Sequence, residues 1–94
     1  GEEFLIALRD PDLADGHVIA ERLRRVLETQ PIQLAQGPAI SVTASFGMAA
    51  LRGKVLRAQA EAAVLALIDE ADTALLCAKS AGRNMVTIAS RNVA

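Results

Sequence analysis

An α/β domain running strand, helix, strand, helix, strand, with a sheet and helices packed on it, is the fold class this sequence predicts. Three observations lead there. The run Phe4-Leu5-Ile6-Ala7-Leu8 is unbroken apolar sequence, residues Ile40 to Met48 alternate apolar with polar, and two longer stretches repeat their apolar residues at helical spacing.

Composition narrows the possible functions. Ninety-four residues make one domain at most, with a modest core. Hydrophobic residues make up 52% of the chain, which argues for a folded module. Phe4 and Phe46 are the two aromatic residues, too few for a surface that stacks bases, so no nucleic-acid partner is expected. Ten basic and eleven acidic residues leave a net charge of −1, so any anion binding must be local. The single Cys77 excludes an internal disulfide and fits a reducing cytoplasm. No signal peptide or bilayer-length apolar run is visible, so this segment is expected to make no membrane contact. The chain starts inside apparent structure without a methionine, as a piece of a longer polypeptide would.

The elements follow in order. Phe4 to Leu8 is the first strand. Gly1, Glu2 and Glu3 precede it, and because strand side chains alternate faces, the two carboxylates could serve one centre only from the turn before the ladder. Gly1 suits that turn and leaves room for a phosphate or nucleotide. Two adjacent glutamates alone are usually a solvated turn.

Asp10 is placed to cap a helix with Pro11 in its first turn, running to about Glu28, with Ile19, Leu23, Val26 and Leu27 facing inward. Gly16 weakens its start by roughly 1 kcal/mol relative to alanine. His17 has no sequence partner and reads as a surface or half-buried residue. Residues 30–38 form a loop ended by Pro38. The strand from Ile40 to Met48 has one face in the core, and Gly47 permits a bulge or a close backbone contact. Residues 50–58 are a connector.

A long helix spans Gln59 to Ser80, with Val64, Leu67, Ile68, Ala71, Ala74, Leu75 and Ala78 as its apolar stripe. Gly82 is its left-handed cap, and residues 84–89 carry a last strand with Val86 and Ile88 on one side. Lys79 and Arg83 bracket the turn. They could simply offset the negative end of the helix dipole, or they could grip an anion.

Three blocks together resemble the GGDEF family of diguanylate cyclases. Gly1-Glu2-Glu3-Phe4 is similar to the end of the signature in its glutamate variant, Ser45-Phe46-Gly47 to a strand motif, and Ala78-Lys79-Ser80-Ala81-Gly82-Arg83-Asn84 to the C-terminal helix and turn. Leu76 stands where the family usually has tyrosine, and residues 50–62 look longer than the common connector. The resemblance implies a fragment of a ferredoxin-like, nucleotidyl cyclase palm fold. It also implies a reaction: two GTP molecules condense to cyclic di-GMP, each ribose 3′-hydroxyl attacking the other's α-phosphate as pyrophosphate leaves.

On that resemblance, Glu2 is the carboxylate that binds Mg²⁺ (or Mn²⁺) and helps activate the hydroxyl, and Glu3 is the adjacent metal ligand. Gly1 makes room for the nucleotide, and Lys79 and Arg83 hold the β- and γ-phosphates. Arg22 matches a position that binds product at an inhibitory site in some members, and equally fits a solvated helix face. The strand aspartate that completes the metal site and the residues that read guanine lie upstream of the matched blocks. Residues 1–94 are therefore expected to be the C-terminal portion of one such domain, inactive alone, cytoplasmic, in a parent whose other domains could anchor it to a membrane. The parent is expected to pair two GGDEF domains for catalysis under a regulatory domain. The missing central strand would leave two sheet edges unsatisfied. The alternatives are a degenerate, non-catalytic module that binds GTP or cyclic di-GMP, and an α/β interaction fragment.

Overall fold

The computed structural model describes residues 3–9, 12–51 and 53–89. Its element order is α1 (Leu13–Thr29), β1 (Phe46–Met48), α2 (Ala60–Ser80) and β2 (Val86–Ile88), with a 3₁₀ turn at Arg57–Gln59 in the connector before α2. This is an α/β arrangement around a small parallel sheet. β1 and β2 pair in parallel with Phe46 opposite Val86, Gly47 opposite Thr87 and Met48 opposite Ile88. Phe46 N–H donates to the Met85 carbonyl at 2.8 Å and Ala89 N–H to the Met48 carbonyl at 2.7 Å, extending the ladder at both ends. Parallel neighbours need a long crossover, and α2 supplies it.

α1 starts where a side chain satisfies its free amides. Asp12 is the cap, its Oδ1 accepting the Asp15 N–H at 2.8 Å. The expected cap Asp10 and the following Pro11 lie outside the described residues. The buried face matches the expected stripe only in part, with Ile19 and Leu27 half-buried. Gly16 and Ala20 are buried, whereas Leu23 and Val26 are 41% and 44% exposed. Small residues win because the helix approaches the sheet closely: a Cβ on Gly16 would lie 3.1 Å from Met48 Cε. Gly16, costly to the helix in isolation, is thus explained by packing. His17 is half-buried.

α2 runs almost as its periodicity predicts. Ala74 and Ala78 are buried, and Leu67, Ala71 and Leu75 are half-buried. Val64 and Ile68, at 49% and 37% exposed, depart from the expected stripe. The contact with β1 is backbone against backbone. A Cβ on Gly47 would collide with Ala71 O and Leu75 N and lie 2.8 Å from Leu75 Cα. Successive strand residues point to opposite faces. Gly47 therefore meets α2 while the next residue, Met48, reaches Gly16 of α1, which places the helices on opposite faces of the ribbon.

Two expected strands are cut back. Residues 3–8 form no strand among the described residues, and Phe4, Leu5, Ile6 and Leu8 are 90%, 70%, 59% and 47% exposed. A strand exists only when its amides and carbonyls find a ladder, and this run has none among the described residues. The second strand shortens from Ile40–Met48 to Phe46–Met48 for the same reason: β2 offers a partner only there. Ile40 instead makes an isolated antiparallel bridge with Ile32, turning the expected loop of residues 30–38 into a small tied excursion. The buried core is accordingly small: among the described residues Ala20, Ala74 and Ala78 are its hydrophobic members. The radius of gyration, 15.5 Å, exceeds the roughly 13 Å of a compact 100-residue domain.

Candidate functional site

The C-terminal end of α2 carries Lys79, leads into Arg83 and has Glu3 beside it. Gly82, with φ of 125°, follows the cap residue Ala81, and Arg83 N–H donates back to the Ala78 carbonyl at 2.9 Å. That six-to-one bond is the Schellman ending, which glycine permits without Cβ strain. Two residues without that freedom follow in left-handed conformation, Arg83 at φ 64° and Asn84 at φ 49°. Such backbone costs a residue like arginine roughly 1–2 kcal/mol and asparagine less, since asparagine enters it more readily.

Several contacts hold Asn84. Its N–H donates to Ser45 Oγ at 3.1 Å, just before β1. Its side-chain oxygen accepts from Arg24 Nη1 at 3.1 Å, and its side-chain nitrogen donates to Glu28 Oε2 at 3.1 Å. Arg24 in turn donates to both Glu21 oxygens, Nε to Oε1 and Nη2 to Oε2, each at 3.1 Å, and through Nη1 to Glu28 Oε2 at 2.6 Å. Its side chain is 15% exposed.

The charges are mutually tuned. The hydrogen bond from Arg24 holds the Glu21 carboxyl below the ordinary carboxylate range. Hydrogen bonds from Asn84 first, then Arg24, do the same for Glu28. The Arg24 guanidinium is pushed further up, chiefly by its hydrogen bond to Glu21.

Of the expected site residues, Glu3 and Lys79 are brought together. Lys79 Nζ lies 3.5 Å from Glu3 Oε2 across 76 positions of sequence, with side chains 32% and 60% exposed. Arg83 is exposed, one residue past Gly82, and its guanidinium has no ion-pair partner among the described residues. Arg22 is exposed on α1; the ion pairs of that helix involve Arg24 and Arg25 instead. Gly1 and Glu2 lie outside the described residues.

The Glu21, Arg24, Glu28, Asn84 and Ser45 network was not anticipated as a unit. Its helical part could have been read from three- and four-residue spacing of opposite charges. Its link to Asn84 has no local signal.

Among the described residues no group of three or more His, Cys, Asp or Glu side chains could hold a metal ion. Mg²⁺ is usually held by one or two carboxylates, and the one expected ligand in view, Glu3, is paired with an ammonium. The described residues thus do not assemble a magnesium site. No helix among them is long and apolar enough to cross a membrane.

The family profile described as diguanylate cyclase, GGDEF domain, matches residues 1–85. Diguanylate cyclase A of Treponema denticola is 31% identical over 93 residues, covering 99% of this chain and 23% of that protein. The response regulator PleD of Caulobacter vibrioides is 37% identical over 87 residues, covering 92% and 18%. Diguanylate cyclase DgcP of Pseudomonas aeruginosa is 35% identical over 89 residues, covering 95% and 12%. No solved structure matches significantly. This chain belongs to the GGDEF family. It spans less than a quarter of the length of each of these three relatives.

Proposed function

We propose that residues 1–94 are the C-terminal portion of a single GGDEF domain whose complete protein is a diguanylate cyclase. In this reading two GTP molecules become cyclic di-GMP and pyrophosphate, and Lys79 and Arg83 donate charge-assisted hydrogen bonds to the β- and γ-phosphate oxygens. The 3.5 Å approach of Lys79 to Glu3 carries the reading, because it puts an acidic residue of the opening segment beside the cationic end of α2. A triphosphate arriving there would replace the carboxylate as the partner of Lys79. Glu2 is the hydroxyl-activating residue and Gly1 the clearance for the nucleotide, both taken from the family likeness. Mg²⁺ or Mn²⁺ bound by Glu2 and Glu3 belongs to the same proposal. So do Arg22 as an inhibitory product contact, pairing of two GGDEF domains, a neighbouring regulatory domain and a cytoplasmic location.

The test is an assay of this chain and of the full-length protein with GTP and Mg²⁺. Cyclic di-GMP should form with the full-length protein and not with the 94 residues alone. A full-length protein that binds GTP or cyclic di-GMP but makes no product, even when dimerised, would replace the cyclase with a non-catalytic regulatory module. If Glu2→Ala and Lys79→Ala leave nucleotide binding unchanged, both readings fail.

A further inference from the structure

We propose that Arg24 is a positioning residue: through Asn84 it fixes the left-handed turn that carries Arg83, and so sets the direction in which Arg83 leaves the end of α2. The phosphate role of Arg83 rests on the function proposed above. The clamp itself does not.

An arginine serving only its own helix would be satisfied by Glu21 and Glu28, one turn to either side. Arg24 spends part of Nη1 on Asn84 Oδ1 instead, 60 positions away, from a side chain 15% exposed. Asn84 is gripped at both ends of its amide, since Glu28 Oε2 accepts from its Nδ2 at 3.1 Å. The amide therefore has one orientation in which both contacts survive. A third tie, from its backbone N–H to Ser45 Oγ, fixes the same residue to the start of β1.

Arg83 has no comparable side-chain tie. Its backbone is left-handed, and what holds it lies on either side: its own N–H on the Ala78 carbonyl, and Asn84. An exposed side chain on such a residue keeps a fixed direction only while its neighbours stay put. Arg24 suits the task because its planar fork reaches both carboxylates and the amide oxygen together, whereas a lysine ammonium is a single point on a flexible stem.

The test uses Arg24→Lys alone and combined with Arg83→Ala, with two readouts: calorimetric titration with inorganic triphosphate, and amide hydrogen exchange by NMR. Arg24→Lys should speed exchange at the Arg83 and Asn84 amides roughly tenfold while leaving Phe46 and Ala89 in the ladder unchanged, the pattern of a local opening. It should also weaken triphosphate binding by roughly tenfold, and cost nothing further once Arg83 is alanine, since coupled residues do not add. Unchanged exchange at Arg83 and Asn84, or an equal rise at every amide, overturns the clamp. So does a loss of binding that is the same with and without Arg83. If the unsubstituted chain binds no triphosphate, the phosphate reading falls, and exchange alone decides: faster at the turn upholds the clamp, unchanged ends it.

Discussion

Among the described glycines, Gly47 should be the one whose replacement with alanine is most damaging. The backbone at Gly47 carries no positive-φ strain, so the cost is purely steric. The added Cβ would meet Ala71 O, Leu75 N and Leu75 Cα, all backbone atoms of α2 that cannot swing aside as a side-chain tip could. Either α2 lifts off β1 or the ribbon bends. Overpacking of a fitted core costs about 1–3 kcal/mol, and a clash with backbone belongs at the upper end. At about 4–8 °C per kcal/mol for a domain of this size, the melting temperature should fall by roughly 10–20 °C. Thermal unfolding followed by far-UV circular dichroism measures this. Gly37→Ala is the control, because Gly37 has φ of 100° but nothing within 4 Å of its would-be Cβ. Its cost should be conformational alone, roughly 1–2 kcal/mol. If Gly47→Ala melts no lower than Gly37→Ala, the close seating of α2 on β1 is wrong.

Other outcomes follow from the same contacts. Gly82→Ala forces a side chain into φ of 125° at the end of α2 and should cost at least about 1–2 kcal/mol by denaturant titration. Glu3→Gln removes an exposed pair and should leave stability within about 0.5 kcal/mol, a larger loss showing that the opening segment is bound more tightly than its exposure implies. Glu21 and Glu28 are held below the ordinary carboxylate range, so the unfolded chain takes up protons first. Their stabilisation should be complete above the ordinary glutamate pKa of about 4.3 and disappear as pH falls through their lower folded values. Glu28→Gln should flatten that acid limb in denaturation curves recorded across the range. In the full-length protein Arg83→Ala should weaken GTP binding roughly tenfold with little change in melting temperature, since its guanidinium has no ion-pair partner among the described residues.

What could be read from sequence was whatever is decided within a few residues. α2 and its ending were legible because the apolar stripe, the last-turn lysine and Gly82 all act locally. Gly47 was legible as either a bulge or a close backbone contact, the two uses of glycine inside a strand pattern, and the structure shows the contact. The run from Phe4 to Leu8 has every intrinsic preference of a strand, yet pairing is a property of two segments, and the described residues provide no second. On α1, periodicity selected the largest apolar residues. Proximity to Met48 selected Gly16, and Ala20 is buried one turn further on, because distance between elements is not encoded in one element's pattern. The family likeness singled out Glu3 as a metal ligand and Lys79 as a phosphate donor, not as partners of each other, and their 3.5 Å contact, like that of Asn84 with Arg24, joins positions whose adjacency arises only in the folded chain.

The parallel pairing of Phe46 with Val86 also governs how the molecule can be assembled. A hairpin could zip from its turn, but here some forty residues must be closed into a loop before the first ladder bond is made, and the entropy of that closure is spent before any contact returns it. The bonds that hold Asn84 span 39, 56 and 60 positions, so they too wait on the same event. The setting of the cationic turn therefore depends on the assembled ribbon: a peptide comprising α2 and β2 alone would contain Lys79 and Arg83 but lack the ribbon partner and the α1 groups that hold Asn84.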